Sequence, residues 1–149
     1  MLENKEFEIL SLLYQENAKV AAIFWEWRHK VMVSFFAGIA ALFALAGWFY
    51  QQTELRGLLR PALFIGSILS LVSFFLDRRN ANILRDCYRV GKVVESKLTK
   101  DVAIAGGAIF ESIGKSHYTI LTYTLTLGAV YVIVGIVLLA LVFTIQLFI

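Results

Sequence analysis

Residues 116–149 read SHYTILTYTLTLGAVYVIVGIVLLALVFTIQLFI and contain no Asp, Glu, Lys or Arg. A helix needs about 20 predominantly apolar residues to cross the roughly 30 Å of hydrocarbon in a bilayer. The stretch has no Pro and no Asn, and its two glycines are isolated. We therefore expect one long membrane-spanning helix here instead of a hairpin.

Two further windows have the same character. Residues 31–50 and 61–76 carry no charge, and we extend the second window to 57–76 because the Arg60 side chain can reach back to the headgroups. The whole chain is 59% hydrophobic and 17% charged, and no alternating strand pattern points to a barrel. These observations predict an all-α integral membrane protein with about three transmembrane helices plus amphipathic cytoplasmic helices.

The distribution of basic residues predicts the orientation of these spans. Lys and Arg concentrate between residues 77 and 117, and few lie in the loop between the first two spans. Positively charged loops stay in the cytoplasm, which places the N-terminus there as well. We expect a single membrane domain over 1–149, with these parts: a cytoplasmic or interfacial helix 1–30, spans at 31–50, 57–76 and 117–149, and a cytoplasmic helical segment 77–116.

The first thirty residues have the pattern of an amphipathic helix. Apolar residues recur at spacings of three and four, and the predicted stripe contains Leu10, Leu13, Tyr14, Ala21, Phe24 and Trp27. We expect this helix to run straight into the first span.

Aromatic and cationic residues flank the first span. Trp25, Trp27 and Arg28 precede it, and Trp48 stands near its far end. Aromatic rings are enriched at the level of the lipid headgroups. We interpret these four residues as an interfacial anchor.

A second amphipathic stretch follows the second span. Its predicted apolar stripe contains Ile83, Cys87, Val90, Val94 and Leu98, and the charged residue Glu95 is placed off it. A helix of this kind must bury one face, so we expect it to pack against the N-terminal helix on the same side of the membrane. Packing is also the expected role of Cys87, the one cysteine of the chain.

The same stretch carries a cytoplasmic basic cluster of Arg78, Arg79, Arg85 and Arg89. A basic surface can attract anionic lipid or nucleic acid. Acidic residues dilute the cluster, and the rule of positive cytoplasmic loops already accounts for it. The expected partners are therefore the lipid bilayer and other copies of the chain, and we expect no nucleic acid.

A search for chemical motifs argues against catalysis. The chain lacks CxxC, HExxH, GxSxG and Walker A patterns. His29 and His117 lie at the predicted cytoplasmic ends of spans, where they serve either as interface residues or as a pH-sensing pair. We expect no enzyme activity, no catalytic residue, no cofactor-binding residue and no metal ligand.

Hydroxyl groups gather in the first half of the last span. Thr119, Thr122, Tyr123 and Thr126 share one helical face. Such groups bond their own backbone, bond a neighbouring helix, or line an aqueous path. We treat these four residues as a predicted pore or helix interface.

Residues 5–100 combine an N-terminal helix, a transmembrane hairpin and a basic helix that opens Leu76-Asp77-Arg78-Arg79-Asn80. In this layout the chain resembles the small SLATT-like transmembrane effectors of bacterial defence systems, with the third span added to their two-span plan. The resemblance implies a protein of the bacterial inner (plasma) membrane that permeabilises this membrane when a partner senses infection.

The expected function is therefore that of a homo-oligomeric inner-membrane protein that acts by assembly or gating. Its expected class is a pore-forming or membrane-disrupting effector of antiviral (anti-phage) defence. The alternative is a non-conducting membrane anchor or accessory subunit that recruits a cytoplasmic protein partner. An enzyme that borrows its site from a partner is a third and weaker hypothesis.

Overall fold

A computed structural model describes residues 2–98 and 117–145 of the chain, with side chains for residues 5–98 and 123–145. All regular structure in these ranges is helical. Three long helices follow one another: α1 (Leu2–Gln51), α2 (Leu59–Leu98) and α3 (His117–Thr144). The later part of the predicted segment 77–116 and the end of the predicted span 117–149 lie outside the described residues.

Each long helix contains a candidate membrane span. The stretches Lys5–Gln51, Thr53–Leu98 and Tyr123–Thr144 are long and apolar enough to cross a bilayer. Within the described ranges the protein is thus all-helical, and three helices are long and apolar enough to span a membrane, as the sequence predicts. The unbroken course of α1 confirms that the N-terminal helix continues directly into the first span.

A 3-10 helix, Thr53–Leu58, connects α1 to α2. The Gln52 backbone N–H donates to the Trp48 carbonyl at 3.2 Å, which closes the last turn of α1. Gly57 and Leu58 belong to the 3-10 helix, so α2 begins at Leu59. The one proline of the chain, Pro61, occupies the first turn of α2, where a missing backbone N–H costs little.

The chain divides into two compact units. Unit 1 consists of Met1–Arg28 and Arg79–Thr124. Unit 2 consists of His29–Arg78 and Leu125–Ile149. The two apolar windows 31–50 and 57–76 therefore belong to unit 2.

Unit 2 has a closely packed apolar interior. Phe35 of α1 meets Tyr131 of α3 edge to face, with 4.6 Å between the ring centroids, and Leu138 is fully buried beside them. Ser70 of α2 donates its hydroxyl hydrogen to the Tyr131 backbone carbonyl. At Gly66 an added Cβ would collide with Leu side chains of α1 and α3. Small residues on α2 thus allow the close approach that membrane helices require.

Unit 1 contains the predicted packing between the N-terminal helix and the start of the 77–116 segment. Ala21 of α1 packs against Leu84 and Cys87 of α2. The Asn17 amide donates to the Cys87 carbonyl at 2.7 Å, and the Tyr14 hydroxyl donates to a Glu95 carboxylate oxygen at 3.2 Å. These contacts confirm that the two amphipathic helices bury faces against each other.

The buried faces differ in part from the predicted stripes. Leu13 and Trp27 are exposed on α1, and Val90 is exposed on α2, whereas the predicted surface residue Glu95 is buried. The contact line on α1 runs instead through Leu10, Tyr14, Asn17, Ala21, Phe24 and Arg28. The cause is that α1 has apolar residues on two sides, and the polar Asn17 and Arg28 lie on the side that packs.

Candidate functional site: the Arg28 cluster

Arg28 is the most unusual residue of unit 1. It lies on α1 three residues before the apolar window 31–50, and only 2% of it is exposed. A buried cation is costly unless hydrogen bonds and nearby π-systems or charges compensate the lost hydration. The surroundings of Arg28 therefore show which groups the fold has arranged around a charge.

Two residues of α3 meet the guanidinium. Arg28 Nη2 donates to Thr124 Oγ1 at 3.2 Å. The guanidinium carbon lies 5.3 Å from the centroid of the Tyr123 ring, within the range of a cation–π interaction. Trp25 extends the group, with 6.1 Å between its ring centroid and that of Tyr123. We refer to Trp25, Arg28, Tyr88, Tyr123 and Thr124 as the Arg28 cluster.

Tyr88 of α2 belongs to the cluster through electrostatics. Burial raises the pKa of Tyr88, and the nearby Arg28 charge partly offsets this rise. The neighbouring Cys87 thiol is buried too, and burial raises its pKa, with the Asp86 charge acting in the same direction. At neutral pH both groups are held in their protonated forms, so neither is an activated nucleophile.

This arrangement is suited to holding helices together. Arg28 comes from α1, Tyr88 from α2, and Tyr123 and Thr124 from α3, so one cation contacts or influences all three helices of unit 1. Across the described side chains, no three His, Cys, Asp or Glu residues form a group that could hold a metal ion. The cluster thus connects α3 to α1 through Tyr123 and Thr124.

The four predicted anchor residues fall into two environments. Trp25, Trp27 and Trp48 are about half exposed, as expected for rings at a membrane interface, whereas Arg28 is buried. Arg28 lies on the contact line of α1. It follows Ala21 by seven residues and Phe24 by four, which is a helical spacing. That spacing is the sequence signal for its burial.

The predicted basic cluster lies on the surface of α2. Arg78, Arg79, Arg85 and Arg89 are all exposed. Arg78 covers the Phe74 ring at 5.5 Å, and Arg89 pairs with Asp86 at 3.4 Å. Both pairings are local, so most of the positive charge faces outward.

The predicted hydroxyl face is described in part. Thr119 and Thr122 belong to α3, but their side chains lie outside the described residues. Tyr123 and Thr126 are exposed, and Tyr123 joins the Arg28 cluster. The buried hydroxyl that contacts Arg28 belongs to Thr124, which the predicted face omits. In the sequence, the four-residue spacing between the small residues Thr124 and Gly128 indicates a packed side of the helix. Both residues are buried in the structure.

A line of polar and small residues on α2 is packed inside unit 2. Gly66, Ser70, Ser73 and Asp77 recur at spacings of three and four, and all are buried in unit 2. Asp77 is the first residue of the predicted cytoplasmic helical segment 77–116. Its spacing from Ser73 and Ser70 places it on the packed side of α2.

Comparison with protein-family models, with curated proteins and with solved structures finds no match to this chain.

Proposed function

We propose that this chain is a homo-oligomeric protein of the bacterial inner membrane that acts by assembly or gating. In this proposal it is a pore-forming effector of anti-phage defence, with the N-terminus and unit 1 in the cytoplasm. The basic surface of α2 supports this orientation, because Arg and Lys accumulate on the cytoplasmic side of membrane proteins. The layout of residues 5–100 supports the effector class through its resemblance to SLATT-like proteins.

The observation that carries the proposal is the contrast between the interior of unit 2 and the outside of α3. Phe35, Tyr131 and Leu138 fill the space between the helices of a single copy. A water path in the membrane therefore has to form between copies. Thr126, in the same helix, is exposed on the surface of the single copy, where a neighbouring copy or an aqueous path would accommodate its hydroxyl.

The Arg28 cluster gives the proposal a place for gating. It joins α3 to α1 through a hydrogen bond and a cation–π contact, and Tyr88 of α2 lies near the same charge. A rearrangement of α3 that opened a path between copies would have to change these contacts. Arg28→Ala should accordingly raise the basal leak if the cluster holds a closed state.

Flux through liposomes tests the proposal. Purified protein should release an encapsulated small dye or support ion flux, and Thr126→Leu should change the rate because it removes the hydroxyl of an exposed residue. The matched control is Val137→Leu, since Val137 is an exposed aliphatic residue of the same helix. Absence of flux at every protein-to-lipid ratio, for the unmodified chain and for Arg28→Ala, would overturn the pore function.

The second candidate is a non-conducting anchor that recruits a cytoplasmic protein. The exposed apolar residues of α1 in unit 1 favour it, because a solvent-facing apolar surface of this kind often marks a protein contact. Stable association with a cytoplasmic protein in membranes that remain sealed would support this function over the pore.

A further inference from the structure

Unit 1 has an apolar surface that no part of the described chain covers. On α1, five aliphatic side chains between 38% and 61% exposed lie along one side at helical spacing, and they are Ile9, Leu12, Leu13, Val20 and Ile23. The charged residues Glu16 and Lys19 lie among them. We call these seven residues the outer face of α1. It points about 100° away from the contact line that packs on α2.

Charge argues against a membrane surface as the occupant of this face. Residues 2–27 contain five glutamates and two lysines. Helices that lie on bilayers carry Lys and Arg beside their apolar side, because the headgroup region of the cytoplasmic leaflet is negative. The net negative charge of residues 2–27 would be repelled there. A protein surface with basic residues is the better complement.

Unit 1 itself presents such a surface on α2. Val90 and Val93 are about half exposed, and they are flanked by the exposed residues Asp86, Arg89 and Lys92. We call these five residues the outer face of α2. It combines two aliphatic side chains with a net positive charge, whereas residues 2–27, which contain the outer face of α1, have a net negative charge.

The charges on the two faces also match in spacing. Glu16 pairs with Lys19 at 2.6 Å on α1, and Asp86 pairs with Arg89 at 3.4 Å on α2. Each pair is three residues apart, and all four side chains are exposed. Between antiparallel helices, Glu16 can lie opposite an arginine while Lys19 lies opposite an aspartate.

The positions of these charged residues along the helix axes also agree. In unit 1, Tyr14 meets Glu95 and Asn17 meets Cys87, so α1 and α2 run antiparallel. Residue 16 lies between 14 and 17 and is therefore level with the stretch 87–95, which contains Arg89. Residue 19 lies beyond 17 and is level with Asp86. A rotation about an axis parallel to the helices would preserve these levels in a neighbouring copy.

We propose that the outer face of α1 in one copy binds the outer face of α2 in a second copy, head to tail. This inference rests on the proposed self-assembly and names its cytoplasmic contact. A pairing of two α1 helices would place Glu16 against the same glutamate of the other copy, which is unfavourable. A contact between different faces leaves one free face on each copy, α2 on the first and α1 on the second, so further copies can add until the rotation between neighbours closes a ring.

The size of this contact defines its role. Residues 9–23 of α1 span about 21 Å, and a strip about 10 Å wide along them covers roughly 200 Å² per copy. Stable interfaces bury about 800 Å² per partner. The contact between outer faces therefore aligns copies that are also held together in the membrane, and it sets the order of neighbours in the ring.

Disulfide cross-linking in native membranes tests the pairing. In a Cys87→Ser background, one chain carries Glu16→Cys and a differently tagged, co-expressed chain carries Arg89→Cys. Oxidation should give cross-linked dimers that contain both tags, because a disulfide requires Cα atoms within about 7 Å. Glu8→Cys, also exposed but about 12 Å from Glu16 along α1, is the matched control and should give none with Arg89→Cys. Cross-linking of Glu16→Cys with itself would instead demonstrate paired α1 helices and overturn the proposal.

Charge reversal supplies a second test that does not depend on oxidation. Glu16→Arg and Arg89→Glu should each reduce the assembled fraction several-fold, and the double variant Glu16→Arg/Arg89→Glu should restore it. The mismatched pair Glu8→Arg/Arg89→Glu should not. If the unmodified chain assembles but neither cross-linking nor restoration occurs, the contact is wrong while self-assembly stands. A monomeric unmodified chain would remove both.

Discussion

The two units bury and expose different kinds of residue. Unit 2 is filled by apolar side chains and also presents apolar residues outward, as a protein surrounded by lipid must. Unit 1 buries Arg28 and Glu95 at its helix contacts, yet leaves Leu12, Leu13 and Ile23 exposed. In a bilayer, the outward apolar residues of unit 2 would contact lipid. In unit 1, predicted to lie in water, they form the surface that we propose a second copy covers.

The same comparison separates two sources of stability. Packing in unit 1 gains from removing apolar area from water and from close contact, whereas packing in unit 2 gains from contact alone, since lipid tails are as apolar as leucine. The difference can be measured with one substitution made in both units.

Leu84 in unit 1 and Leu138 in unit 2 are 1% and 0% exposed. We expect Leu84→Ala to lower the free energy of unfolding by about 3–4 kcal/mol, because transfer and cavity terms add. Leu138→Ala should lower the free energy of unfolding by about 2 kcal/mol less. In lipid, the three carbon groups that the substitution removes gain nothing from leaving water, so only the cavity term remains. Reversible unfolding in mixed detergent measures both. Equal costs would contradict the assignment of the two units to different solvents.

Arg28→Ala should have the next largest effect. It removes a hydrogen bond from a charged donor and a cation–π contact, and we expect a loss of about 2–3 kcal/mol. Arg28→Lys should recover part of it, because the charge remains while the planar fork is lost. His29→Ala, exposed one residue further along α1, is the control. If Arg28→Ala is as mild as the control, the cluster does not hold α3.

Tyr14→Phe should cost about 1–2 kcal/mol, because the phenol donates to the buried carboxylate of Glu95. Burial, the Glu95 charge and this hydrogen bond raise the pKa of Tyr14. The raised pKa means that the contribution is fully present below the ordinary tyrosine pKa near 10 and is lost as pH rises through the higher folded value. Unfolding measured at pH 7 and at increasingly alkaline pH should show the two proteins converging. A gap independent of pH would argue against the contact.

Leu13→Asp should have the smallest effect on the stability of a single copy, within about 0.5 kcal/mol, because Leu13 is half exposed. On the outer face of α1 it should nevertheless weaken assembly. Comparing unfolding with the assembled fraction on a sizing column separates the two effects. A large loss of stability in the monomer would mean that Leu13 is packed within the copy.

The sequence is sufficient to predict the three spanning helices and the contact between the two amphipathic helices. Long uncharged windows and a single proline leave few other structures for 31–50 and 57–76. It is not sufficient to choose between two apolar sides of α1, because Leu13 and Leu10 are equally hydrophobic and the choice depends on what α2 presents.

The buried charges show a second limit of prediction from sequence. The partner of Arg28 is 96 residues away at Thr124, and Tyr14 and Glu95 are 81 residues apart. A local pattern assigns such residues to the surface, because burying a charge without a partner is costly. Only the tertiary arrangement shows the partner.

The mass of the protein particle in lipid tests the central claim most directly. The chain is 16.8 kDa, and light scattering on nanodisc-embedded protein, corrected for lipid, should return a defined multiple of this mass. Glu16→Arg should reduce the multiple, and Glu16→Arg/Arg89→Glu should restore it. A particle that contains one chain at every protein-to-lipid ratio would contradict the account.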